Sequence, residues 1–187
     1  MIESLHNQHH IHYDIKPGNF IISVDSPSPV SFLIDFGLAQ QYRDPATYQH
    51  TLYNPYDEVV STPAFSSTMC QKGATQSCHD NLESFTYTII YSACGDLPWS
   101  SCHNPKAILV KKLGTPLNEL CQGLPNHFCD FLHYTQQLDF DKKPDYQLLH
   151  SILMWCLEIE TNLPVEVPSS VHVPVGAERT PVVGCQV

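Results

Sequence analysis

His12-Tyr13-Asp14-Ile15-Lys16-Pro17-Gly18-Asn19, followed further on by Leu33-Ile34-Asp35-Phe36-Gly37, is the most informative part of the chain. Each segment joins a polar turn to an apolar run. Phe20-Ile21-Ile22 leaves the first and Phe32-Leu33-Ile34 enters the second, and both runs have the length and the β-branched and aromatic content of short strands. Taken singly, Asp14 and Asn19 read as turn residues beside Pro17-Gly18, and Asp35-Phe36-Gly37 as a strand-ending turn. Their order is what carries information. An Asp, a Lys two positions on, an Asn five positions on and a second Asp at the end of a second strand make a chemically coherent set.

A length of 187 residues suffices for one domain with a core, and the apolar content is that of an ordinary globular protein. A formal charge of −10 with nine Lys and Arg argues against nucleic acid or an anionic membrane as partner. No apolar stretch reaches the length of a membrane span, and Met1 to Ile11 does not resemble a secretory signal. The expected location is cytoplasmic or nuclear. The eight Cys contain no Cys-x-x-Cys pair and read as reduced thiols. His6, His9, His10 and His12 crowd a polar turn and read as structural rather than metal-binding.

Met1 to Ile11 can supply the last turns of a helix. Residues 38–67 carry Pro45, Pro55 and Pro63 without a sustained period, as a long functional loop does. From Asn81 to Cys94, Leu82, Phe85, Ile89, Ile90 and Ala93 recur at helical spacing, which predicts a largely buried central helix ended by Gly95. A short helix over 107–113 stops at Gly114, and two more amphipathic helices run from Phe128 to Leu138 and from Tyr146 to Cys156. Repeated Val-Pro pairs after Leu163 predict a disordered or extended tail. The expected division is a domain over 1–158 and a tail over 159–187.

The ordered set has the chemistry of phosphoryl transfer. The first Asp of such a site takes the proton of the attacking hydroxyl, the Lys steadies the phosphoryl group, and the Asn and second Asp hold magnesium. Further segments agree with one family: Gln41-Tyr42-Arg43-Asp44-Pro45, Asp80 with Leu82-Glu83-Ser84, Gly95 with Leu97-Pro98-Trp99, and Pro144-Asp145-Tyr146. On these residues the chain resembles the C-terminal lobe of casein kinase 1 family serine/threonine protein kinases, from about His12 to about Leu153. The resemblance implies a mainly α fold with short β-strands, half of the two-lobed α+β kinase architecture. It implies ATP and Mg2+ as cofactors and a protein Ser or Thr as acceptor. It makes Asp14 the catalytic base, Lys16 the phosphoryl-stabilising cation, Asn19 and Asp35 the magnesium and nucleotide ligands, and Thr62 the loop hydroxyl that ties Asp14 to Lys16.

Five positions depart from the family's pattern: Tyr13 replaces an Arg, Asn81 an Asp, Cys78-His79 a basic pair, and Ser61 a Gly. By the resemblance Asn81 should accept backbone hydrogen bonds from the catalytic loop. No Gly-rich loop or nucleotide-lobe Lys lies upstream of Asp14 in the sequence, so ATP binding by these residues alone is expected to be weak. A non-catalytic kinase-like binding module that keeps a protein-docking surface is the alternative expectation.

Overall fold

The computed structural model describes residues 1–23, 30–57 and 60–161. Over these the chain is mainly α-helical with a few short antiparallel strands. Helix α1 (Ile2–Asn7) leads into β1 (His10–Ile11); a 3-10 turn at Pro17–Asn19 precedes β2 (Phe20–Ser23), and β3 (Val30–Leu33) precedes a second such turn at Phe36–Leu38 and then β4 (Gln40–Gln41). Six helices follow: α2 (Thr68–Gln71), α3 (Cys78–Cys94), α4 (Pro105–Gly114), α5 (Leu117–Leu120), α6 (His127–Gln137) and α7 (Tyr146–Thr161). β2 pairs antiparallel with β3, Phe20 opposite Leu33, and β1 pairs with β4, Ile11 opposite Gln40. The second strand was expected to include Ile34 but ends at Leu33. Asp35 takes a left-handed conformation, φ 62°, which turns the chain out of the pleat.

The central helix begins at Cys78, earlier than the expected Asn81, because Asp80 Oδ2 accepts the Ser77 N–H at 2.7 Å and fixes the first turn. Gly95, at φ 79°, ends it as expected. The expected apolar stripe is broader in fact. Leu82 and Ile90 are buried, Phe85 and Ile89 are half-buried and Ala93 is exposed, while the polar Asn81, Glu83, Thr86 and Thr88 are buried. These polar groups tolerate burial because they are hydrogen-bonded. Thr86 and Thr88 donate to the carbonyls of Leu82 and Ser84 at 2.9 Å, and Glu83 accepts the Tyr87 hydroxyl at 2.6 Å.

Two apolar clusters hold α3 in place. Tyr87, Ile90, Leu97, Trp99, Ile108 and Leu132 form one, and Ile2, Ile15, Leu82, Phe131, Leu149 and Ile152 the other. At roughly 1.5–3 kcal/mol for each fully buried large apolar side chain, these clusters are the main stabilising term. The second cluster matters for the site because it anchors Ile15 between Asp14 and Lys16. Helix α7 runs to Thr161, past the boundary expected at 158, since neither Pro nor Gly interrupts the sequence before Pro164. The tail expected beyond it, 162–187, lies outside the described residues. Helices α2 and α5 were not anticipated; α2 owes its start to Ser67, whose hydroxyl accepts the Cys70 N–H at 3.0 Å. Among the described residues no helix is long and apolar enough to cross a membrane. Cys70, Cys78, Cys94, Cys102, Cys121 and Cys129 are free thiols.

Candidate active site around Asp14

Asp14 stands where three elements converge. The chain leaves β1 through Tyr13, whose φ of 69° reverses its direction, and Ile15 is then pinned in the core. His12, fully buried, places its Nε2 at 3.0 Å from the Ile34 carbonyl, while its Nδ1 faces the Asp14 N–H at 3.4 Å. The Phe36 ring packs edge-on against the imidazole at 5.1 Å. His12 thus links the turn after β1 to the turn after β3. From the other side, the Ile34 N–H donates to the Asn19 carbonyl at 2.9 Å.

The Asp14 carboxylate is held at both oxygens. Oδ2 accepts Lys16 Nζ at 2.6 Å; Oδ1 accepts the Thr62 hydroxyl at 2.7 Å and the Thr62 N–H at 3.1 Å. Lys16 Nζ also donates to Thr62 Oγ1 at 3.1 Å, which closes a triangle of three side chains. Asn19 Nδ2 donates to the Asp14 carbonyl at 2.8 Å, so the amide spans the turn and leaves its own oxygen uncommitted to that bond. Burial pushes the Asp14 carboxyl up, but the Lys16 hydrogen bond and charge and the Thr62 donors outweigh it and hold the group below its ordinary value. At neutral pH it is an ionised acceptor.

Asp14, Lys16, Asn19 and Thr62 are therefore joined by direct hydrogen bonds. Asp35 is not bonded to that set among the described residues. It is exposed, its Oδ1 faces the Gly37 N–H at 3.4 Å, and it follows directly on Ile34, the residue tied to Asn19. The Asn19 amide oxygen and the Asp35 carboxylate are hard oxygen donors, the type that magnesium takes, and they fit that ion by chemistry.

The departing positions take up distinct roles. Tyr13 packs against the buried Ile11, Tyr42 and Cys78, and burial together with Asp57, Asp80 and Cys70 pushes its phenol up to about 12. It is neutral at this position and supplies no cation. The hydrogen bond that Asn81 makes runs not to the loop backbone but to His6 Nε2, at 3.1 Å, which ties α3 to α1. His6 also meets the Tyr146 hydroxyl, and its carbonyl accepts the Tyr42 hydroxyl at 3.0 Å. Burial, then Arg43 and the N-terminus, pull the His6 imidazole down to about 3. Cys78 is buried, and His79 faces Asp80 at 3.3 Å with its own proton affinity lowered by burial. Ser61 Oγ lies 3.3 Å from Cys70 Sγ.

One further group near the site carries no motif in the sequence. Lys112, 6% exposed, sends Nζ to the carbonyls of Pro63, at 2.9 Å, and Ser66, at 2.5 Å, and lies over the rings of Tyr87 and Trp99. Trp99 Nε1 donates to the Ala64 carbonyl between them at 2.8 Å. Together they fix the segment that follows Thr62. The available signal was the spacing of Lys112 from Ile108, one helical turn apart on the buried face of α4. Burial pulls the Lys112 ammonium down to about 7 against the opposing pull of Glu83 and Cys70. No family model matches the chain.

Proposed function

We propose that this chain carries the catalytic C-terminal lobe of a casein kinase 1-type serine/threonine protein kinase, transferring the terminal phosphoryl group of ATP to a protein hydroxyl. The observation that carries the reading is the closed triangle of Asp14, Lys16 and Thr62, drawn from two segments far apart in sequence. An ionised, positioned carboxylate is the group required to accept the proton of a Ser or Thr hydroxyl. Lys16, shared between Asp14 and Thr62, is a cation placed beside the point where that hydroxyl would attack. Asn19 and Asp35 would hold magnesium, which supplies charge neutralisation to the phosphates when bound. The buried Cys78 and the neutral His79 offer no receptor for an acidic or phosphorylated substrate, which separates this chain from the basic-pair pattern of the family.

Tyr13 favours a second reading. With a phenol in an apolar cluster where the family places a guanidinium, position 13 offers the activation segment no cation, and Lys16 is the one cation that reaches it from the catalytic loop, at Thr62, among the described residues. A non-catalytic kinase-like module that binds a protein partner is consistent with that. A titration with Mn2+ separates the two. Paramagnetic broadening confined to the amide signals of Asn19, Asp35 and their neighbours supports the catalytic reading, and broadening that spares them favours the binding module.

A further inference from the structure

A cleft of about 750 Å³ opens between α2, α3, the end of α4 and residues 138–140, and none of Asp14, Lys16, Asn19, Asp35 and Thr62 lines it. This volume is in the range of small-molecule sites. Much of its wall is apolar, built from Met69, Leu113, Leu117, Leu120 and Leu138. Phe140 and Tyr53 stand at one end, edge to face at 5.1 Å. Tyr53 comes from the long loop that also carries Thr62.

The polar groups of the cleft carry an excess of positive charge. Lys72 is exposed at its edge, and the contact its Nζ makes among the described residues is with the Met69 thioether, at 4.0 Å. Lys112 is the second cation, committed to Pro63 and Ser66. Against these stands one lining carboxylate, Glu83, whose Oε1 already receives the Thr68 N–H at 3.1 Å and the Tyr87 hydroxyl. His79, also in the lining, is held neutral by burial. In a chain of net charge −10, a local surplus of ammonium over an apolar wall runs against the general trend.

We propose that this cleft binds an acyl carboxylate, its chain along the leucine wall and its head group on Lys72. An apolar chain gains from removal from water, and a carboxylate at Lys72 would meet an ammonium that forms no ion pair among the described residues. The floor of the cleft is coupled to the candidate active site. Lys112 and Trp99 grip the carbonyls of Pro63, Ala64 and Ser66, and Thr62, next in sequence, grips Asp14. A bound acyl chain would therefore bear on the segment that positions Asp14. This consequence for activity rests on the kinase reading; the binding itself does not.

The test uses the full chain with Trp155→Phe, which leaves Trp99 as the one indole, and reads its emission during titration with dodecanoate below the micelle range. The expected result is a saturable change in emission with a rise in melting temperature. Dodecan-1-ol should bind at least about tenfold more weakly, as should dodecanoate to Lys72→Glu and Lys72→Gln, while Lys106→Glu, outside the cleft, leaves binding unchanged. Equal binding of the alcohol, equal binding by both Lys72 variants, or no saturation by a cooperatively melting protein overturns the proposal. Because the readout involves no phosphoryl transfer, failure here leaves the kinase reading standing, and failure of that reading leaves dodecanoate binding intact.

Discussion

Thr62 Oγ1 donates to Asp14 Oδ1 at 2.7 Å across a sequence separation of 48, and the Thr62 N–H reaches the same oxygen at 3.1 Å. One residue of the long loop thus joins Lys16 in lowering the carboxyl pKa of the candidate base and fixes its Oδ1. Thr62→Val removes the hydroxyl and keeps the N–H and the side-chain volume. The carboxyl pKa of Asp14 should rise, and stability should fall by about 1 kcal/mol, the net worth of one such hydrogen bond. Carboxyl 13C shifts followed against pH, with a urea melt of each variant, measure both. An unchanged Asp14 titration would show that the Thr62 hydroxyl does not contribute to it.

Lys112→Met should cost about 2–4 kcal/mol. It leaves the Pro63 and Ser66 carbonyls without their donor and the buried Glu83 without a nearby cation. Lys111→Met, at the exposed neighbour, should stay within about 0.5 kcal/mol of the parent. Urea unfolding midpoints at constant slope compare them. Similar midpoints for the two variants would contradict the role given to Lys112.

Acid should act through His6. Its imidazole is held at about 3 in the folded chain, against 6.5 for the free group. A depressed value means that the unfolded chain binds the proton first, so this contribution to stability is complete above about 6.5 and is lost as pH falls toward 3. By pH 5 the loss is roughly 2 kcal/mol. The stability difference between the parent and His6→Gln should therefore shrink by about that amount between pH 7.5 and 5, read from paired thermal melts. A difference independent of pH would place the His6 imidazole in a state other than the buried neutral one.

The hairpin of β2 and β3 presents Ile21, Ile22 and Phe32, each at least half exposed. An apolar face of this kind drives association. The isolated chain should self-associate, and the double variant Ile22→Lys, Phe32→Thr should be more nearly monomeric by light scattering after size exclusion. A monomeric parent with a cooperative melt would support a free-standing module.

Helical periodicity made α3, α4, α6 and α7 legible, since each buries a face, and Gly95 marked the end of α3 through its left-handed turn. Starts were less legible. The Ser77–Asp80 bond and the Ser67 cap are local polar events that an apolar count does not register. Asp14, Lys16 and Asn19 could be grouped from sequence because a single turn holds them. Thr62 could be added through resemblance alone, because nothing in the intervening residues shows that the loop returns. Asn81 shows the converse: its place on α3 was foreseen, yet its partner His6 comes from α1, and no helical spacing carries that information.

On the kinase reading proposed above, Asp14, Lys16, Asn19 and Asp35 form the working half of a phosphoryl-transfer site. A chimera that places the nucleotide-binding lobe of an active casein kinase 1 enzyme before Met1 supplies the other half. Its Mg-ATP affinity is checked first by calorimetry, and its transfer of radiolabelled phosphate to a Ser-containing protein is then measured. The expected result is magnesium-dependent turnover that Asp14→Asn and Asp35→Asn each lower by at least about a hundredfold without shifting the melting temperature by more than a few degrees. A chimera that binds Mg-ATP yet transfers no phosphate, or one whose turnover survives either substitution, would contradict it.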